Sequence, residues 1–151
     1  VYDEKIYIER KNYIGLRCPV LFSASSQGIN YAGGSGSSAT IIKWNIVYRN
    51  WGGGYDPKTG IFTAPIAGYY KFDTFINSAD VGVHWIRFSW FKNGNIYHPH
   101  YETGAYEDDH KSISGTIVVD LEVGDTFDVR VTYNTMYAGH GNGFTGFYLS
   151  P

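Results

Sequence analysis

The segment VHWIRFSWF, residues 83–91, constrains this chain more than any other. In an extended conformation it sets His84, Ile86, Phe88 and Trp90 on one side and Val83, Trp85, Arg87, Ser89 and Phe91 on the other. Both sides are largely apolar, so the strand must be covered on both faces, which an isolated hairpin or single open sheet does not do. Asn93-Gly94 follows at once and is a strong hairpin signal.

The rest of the chain repeats the pattern of short strands and turns. PVLFSAS reads as an apolar strand, GGSGSSAT as a surface loop, and IIKWNIVY, from Ile41 to Tyr48, as another strand broken by the run from Asn50 to Tyr55. Asp56 to Gly60 supplies a turn in which Pro57 fixes one dihedral and Gly60 takes a positive φ. IFTA, a corner at Pro65 to Gly68 and a long strand from Tyr69 come next. SGTIVVDLEVGDTFDVRVTY gives two strands around Gly124-Asp125, and GFTGFYLSP closes the chain. No stretch of useful length has helical periodicity. With 151 residues, 18% aromatics and 19 glycines, the chain suits one all-β domain of about ten strands, a two-sheet sandwich or jelly roll. No internal repeat points to a propeller or solenoid. Residues 1–18 read as a leader segment or terminal strand and 19–151 as the globular domain.

Net charge is -2 and the pI about 6.2. No overall basic field exists to hold nucleic acid or an anionic membrane, and no apolar run reaches the length of a membrane span. The opening residues do not resemble a signal peptide, and the start at Val1 suggests a mature secreted protein or a trimmed fragment. Cys18, the single cysteine, has no intrachain partner; it is a buried thiol or a bridge to another chain.

In their order, FSAS, YDPKTGIFTAPIAGYYKF, FKNG, SGTIVVDLEVGDTFDVRV and FTGFYLSP resemble the globular C1q domain of the tumour-necrosis-factor-like superfamily, over Pro19 to Pro151. The resemblance implies a ten-stranded jelly roll assembling as a trimer, with both chain ends at the base and ligand-binding loops at the other end. It makes Asp56–Gly60 a tight turn, Phe62 and Pro65 a corner, and Tyr70 and Phe72 the start of a core strand. It makes Tyr69 and Phe75 candidates for subunit contact. The chain departs from the family pattern in lacking a collagen-like Gly-X-Y stalk. Trp85 and Gly94 stand near the place where some members carry acidic residues for an axial calcium, which argues against that site here.

Two chemistries remain open. The stretch HPHYETGAYEDDHK gathers His98, His100, Glu102, Glu107, Asp108, Asp109 and His110. Imidazoles with carboxylates suit zinc and the oxygen-rich Glu107–Asp109 suits calcium, while the competing reading is a solvated charged loop. Sugars stack their apolar faces on aromatic rings and bond their hydroxyls to amides and carboxylates. Trp51, Tyr55, Tyr101, Tyr106, Tyr137, His140 and Asn142, in predicted loops, offer that mixture. There is no nucleophile elbow, no H-E-x-x-H and no glycine loop opening a helix, so no enzyme is expected and no cofactor is required beyond the candidate divalent metal. The expected function is that of a secreted homotrimer recognising glycans or other microbial and cell-surface patterns in innate immunity. The alternative is a trimeric signalling or matrix ligand that engages a protein receptor.

Overall fold

A computed structural model describes residues 18–27, 31–32, 39–77, 85–104, 112–133, 135–136 and 141–151. These residues form β1 (Leu21–Ser25), β2 (Tyr31–Ala32), β3 (Thr40–Ile41), β4 (Ile46–Trp51), β5 (Tyr55–Asp56), β6 (Ile61–Thr63), β7 (Gly68–Asn77), β8 (Trp85–Lys92), β9 (Asn95–Gly104), β10 (Ser112–Leu121), β11 (Thr126–Tyr133), β12 (Thr135–Met136) and β13 (Gly143–Ser150). One sheet has the order β10-β7-β13-β1-β4 and the other β5-β6-β11-β8-β9, with β3 added on β11; β2 and β12 make a small third pairing. All the pairings are antiparallel. From β6 to β8, and again from β9 to β13, the chain crosses between the two main sheets, which is the jelly-roll sandwich the sequence predicts. Of the expected leader segment, all but Cys18 lies outside the described residues.

Strands of this face-to-face kind need residues of period two, and β7 supplies them. Tyr70, Phe72, Thr74 and Ile76 are buried, while Tyr69, Lys71, Asp73 and Phe75 point away from the core. Phe22 of β1, Phe72 of β7 and Phe144 of β13 meet Tyr55, Phe62 and Phe127 from the opposite sheet. Phe22 stacks on Tyr55 at 4.7 Å and Phe72 on Phe127 at 4.3 Å between ring centroids. Offset and edge-on pairs of this kind add about 0.5–1.5 kcal/mol each to the burial of the rings themselves. Gly146 is the complement of this packing, since a Cβ there would lie 2.4 Å from Phe22 and 2.5 Å from Phe72.

The turn before β6 follows its sequence. Gly60 has φ 82° and donates its N–H to the Asp56 carbonyl at 2.8 Å, and the Asp56 carboxylate accepts from the Lys58 N–H at 2.9 Å. Asn93 and Gly94, at φ 52° and 76°, close the β8–β9 hairpin. Phe88, Ser89, Trp90 and Phe91 are all buried, as expected of a strand covered on both faces.

Two expectations are corrected. Ile41 to Tyr48 is not one strand: β3 pairs with β11 in one sheet and β4 pairs with β1 in the other. Residues 42–45 carry the chain between the layers, sinking Ile42 and Trp44 into the core. The polar stretch beginning at His98 is a strand as far as Gly104, held by β8. It is polar and tolerates Pro99 because β9 ends its sheet, where one side of the backbone needs no partner.

Candidate functional site

Antiparallel β1 and β13 put the start of β1 and the end of β13 at one end of the sandwich, and Ser25, Asn77 and Gly143 at the other. At that second end, on the outer face of the five-stranded sheet, lies an open depression of about 500 Å³. Ser23, Ser25 and Ser26 line it from β1 and its exit, Gln27 follows, Phe75 comes from β7, and Asn142 and Thr145 come from β13 and its approach. A β-bulge adds the last wall. Ser23 pairs with Arg49 and Ala24 with Val47, so Tyr48 is the extra residue between them. Its ring turns outward over β1, where its hydroxyl lies 3.1 Å from Ser25 Oγ.

Backbone clasps hold the rim. Asn45 Oδ1 accepts from the Gln27 N–H at 3.1 Å and Asn45 Nδ2 donates to the Gln27 carbonyl at 3.3 Å. Asn142, itself buried, accepts the Asn77 N–H on Oδ1 at 2.7 Å. Within this frame Tyr48 is 58% exposed and Phe75 40% exposed, whereas Ser26 is 3% exposed and its hydroxyl has no hydrogen-bond partner among the described residues. A shallower trough continues from Thr145 and Phe75 toward Ser114 and Thr116 of β10.

The ligand residues read from sequence are dispersed by the fold. Trp51 is exposed at the end of β4, opposite Leu21 at the start of β1. Tyr55 is corrected to a core residue: its ring packs on Phe22, and its hydroxyl accepts from the Trp44 N–H at 3.0 Å and donates to the Trp44 carbonyl at 3.2 Å. Burial pushes that hydroxyl well above its ordinary pKa, outweighing the opposing effect of the Trp44 carbonyl. Among the described residues, Asn142 is the one of these seven that lines the depression. Tyr101 lies in β9 with its side chain outside the described residues, and Tyr106, Tyr137 and His140 lie outside them altogether.

Of the metal candidates, His98 is exposed on β9 and His100 follows two residues later in the same strand. Glu107, Asp108, Asp109 and His110 lie outside the described residues, as do the side chains of His100 and Glu102. Among the described residues no three His, Cys, Asp or Glu side chains gather to hold an ion. Cys18 is half-buried, with Sγ donating to the Val20 carbonyl at 2.9 Å.

The most buried charge lies on the other sheet. Asp128 accepts two bonds from Arg130, at 2.6 and 3.1 Å, and the guanidinium sits 4.0 Å from the centre of the Phe91 ring. Burial raises the Asp128 pKa, and Arg130 opposes that rise without cancelling it. This is a structural ion pair: Phe91 and Arg130 cover it, and it opens on none of the depressions described.

Sequence reasoning missed Tyr48 and the serines of β1, which line the depression. Tyr48 read as one more residue of a strand, and no local signal marks the bulge that turns it out.

Residues 22–149 match the pattern of the C1q domain family. The human protein Complement C1q and tumor necrosis factor-related protein 9B is 33% identical over 134 residues, covering 84% of this chain. The chain spans 38% of that relative's length. The solved globular domain of zebrafish complement 1qA protein superimposes with a TM-score of 0.67, at 16% identity, over 86% of this chain and 97% of the other. Eiger TNF from S. frugiperda does so with a TM-score of 0.63, at 14% identity, over 87% and 92%. Similarity at these identities establishes a shared fold.

Proposed function

Because this chain belongs to the C1q domain family, we propose that it is a binding module, not an enzyme. In this reading it acts outside the cell as a homotrimer that recognises glycans or related surface patterns. The observation that carries the reading is the open depression at the opposite end of the sheet from Leu21 and Ser150, where two exposed aromatic rings stand over a floor of hydroxyls. Rings and hydroxyls together match the two kinds of surface that a sugar presents.

Assembly is supported by the other half of the same sheet face. Val118, Lys71, Phe147, Leu21 and Trp51 lie opposite one another across all five strands, with Lys71 Nζ 5.6 Å above the Phe147 ring. Val118 is 50% exposed and Trp51 54%, and Tyr69 adds to the patch. A mostly apolar row on an outer face, broken on β7 by Lys71, which lies over the Phe147 ring, is a surface that a second copy would cover. Of the two residues expected at a subunit contact, Tyr69 belongs to this half and Phe75 to the depression. Three weak sites fixed on one trimer gain avidity on a densely displayed ligand. His98, His100 and Glu107–His110 remain the place where a divalent ion, calcium or zinc, would bind.

The test is a glycan array probed with the purified chain, with and without EDTA, after its mass in solution is measured. Saturable hits from a trimer, reversed by free sugar, are expected, and loss with EDTA would favour a divalent ion at the His98–His110 stretch. Tyr106→Ala and Tyr137→Ala then ask whether those loops share in binding while the trimer persists. A clean trimer without hits would refute the lectin reading. It would favour the signalling or matrix alternative, to which the structural likeness to Eiger TNF lends support.

A further inference from the structure

We propose that Asn93 is a site of spontaneous deamidation, and that its conversion to an acid opens the clasp between the β8–β9 hairpin and the β10–β11 turn. Asn-Gly is the pair in which this reaction is easiest, because glycine carries no Cβ to hinder attack by its own backbone nitrogen. The Gly94 nitrogen attacks Cγ of Asn93; a C–N bond forms, the Cγ–Nδ2 bond breaks, and ammonia leaves with the backbone amide proton. Water then opens the cyclic imide at either carbonyl and yields aspartate or isoaspartate. Water is the only co-reactant.

Asn-Gly pairs stand at 93–94 and at 142–143. Asn142 is 4% exposed, its Oδ1 accepts the Asn77 N–H, and Gly143 pairs with Phe75 in the sheet. Asn93 and Gly94 are both exposed, and a side chain at Gly94 would meet nothing within 4 Å. The fold opens the first pair to water and fixes the second.

The Asn93 amide is in use at both ends. Its Oδ1 accepts the Thr126 N–H at 2.8 Å, and its Nδ2 donates to Asp125 Oδ1 at 2.9 Å. Asp125 Oδ2 accepts the Glu122 N–H at 3.0 Å and lies 3.3 Å from Lys92 Nζ, which also donates to the Asp120 carbonyl. While these bonds last, the amide is held toward the start of β11, so the reaction waits on local opening of the clasp. The product does not close again. A carboxylate only accepts, and the new one would face that of Asp125 where a donor stood before, with Lys92 already shared. Isoaspartate would also lengthen the main chain by one carbon inside a turn whose two residues hold φ of 52° and 76°.

The experiment incubates the full chain in warm, mildly alkaline buffer and maps its peptides by mass spectrometry, with fragmentation that separates aspartate from isoaspartate. Acid is expected to accumulate at Asn93 and not at Asn142. Asp125→Ala should speed the conversion about fivefold or more, because it removes the partner of Nδ2. Asn93→Asp should raise hydrogen exchange at the Glu122 and Thr126 amides by about fivefold or more. Combining Asn93→Asp with Asp125→Asn restores a donor opposite an acceptor and should return that exchange toward the wild-type rate. Equal conversion rates in the wild type and Asp125→Ala would overturn the proposal, as would faster conversion of Asn142. So would an Asn93 that stays intact in both proteins while the chain unfolded in urea converts, or a double variant that exchanges as fast as Asn93→Asp alone.

Discussion

Tyr55→Phe is the sharpest probe of how this fold is held together, because it removes one oxygen and leaves the ring stacked on Phe22. That oxygen engages both backbone groups of Trp44, at 3.0 and 3.2 Å, in a part of the core where Trp44 is fully buried and Tyr55 is 3% exposed. Residues 42–45 pass between the sheets with no ladder of their own, so without the hydroxyl the Trp44 N–H is stranded away from water. Stranding a buried donor and weakening the adjacent carbonyl should cost about 2–3 kcal/mol. In a domain of this size that lowers the melting temperature by roughly 4–12 °C. A pH series adds a second signature. The unfolded hydroxyl ionises near 10, and burial raises the folded value above that. The stability this group contributes is therefore complete below pH 10 and is lost as pH rises toward the folded value. Above pH 10 the wild type should lose up to about 1.4 kcal/mol per pH unit that Tyr55→Phe does not, so the gap between them narrows. Thermal unfolding followed by near-ultraviolet circular dichroism at several pH values would show both effects. Equal melting temperatures at pH 7, with sugar binding lost in the variant, would refute the structural role and make Tyr55 a ligand contact.

Three further outcomes are expected. Gly146→Ala should cost at least about 2 kcal/mol in urea unfolding, because its methyl would be driven against the Phe22 and Phe72 rings, and a neutral result would show that the rings can part. Asp125 has its pKa lowered from the ordinary 3.8 by the Asn93 amide, by the Glu122 N–H and by Lys92. The stability it contributes is present above pH 3.8 and lost as pH falls through the lower folded value, so Asp125→Asn should flatten the acid limb of a stability profile; an unchanged limb would mean this clasp between the β8–β9 hairpin and the β10–β11 turn carries no weight. Val118→Glu should reduce the assembly to a folded monomer in sedimentation velocity, and a persistent trimer would move the interface off this face.

The strands, the turns and the family were legible in the sequence because each rests on neighbours along the chain. Period-two burial in β7, the Asp56–Gly60 turn and the Asn93-Gly94 hairpin need only a few consecutive residues to specify them, and the order of such segments carried the resemblance. Tyr55 was misjudged for the complementary reason. A tyrosine after three glycines looks like a loop residue, and only the passage of Trp44 between the sheets, eleven positions earlier, gives its hydroxyl two backbone partners. The break of Ile41–Tyr48 was hidden likewise, since an apolar run reads the same whether it stays in one sheet or crosses to the other.

The depression belongs wholly to the tertiary structure. Its walls come from β1, β4, β7 and β13, brought together by pairings that join residues more than a hundred positions apart. Its aromatic wall depends on a one-residue slip in the pairing of β1 with β4, which turns Tyr48 outward. Local chemistry settled that the chain would fold into stacked sheets with an aromatic core. Long-range register decided which hydroxyls and rings would share one surface, because a single-residue shift reverses the face on which every later side chain stands.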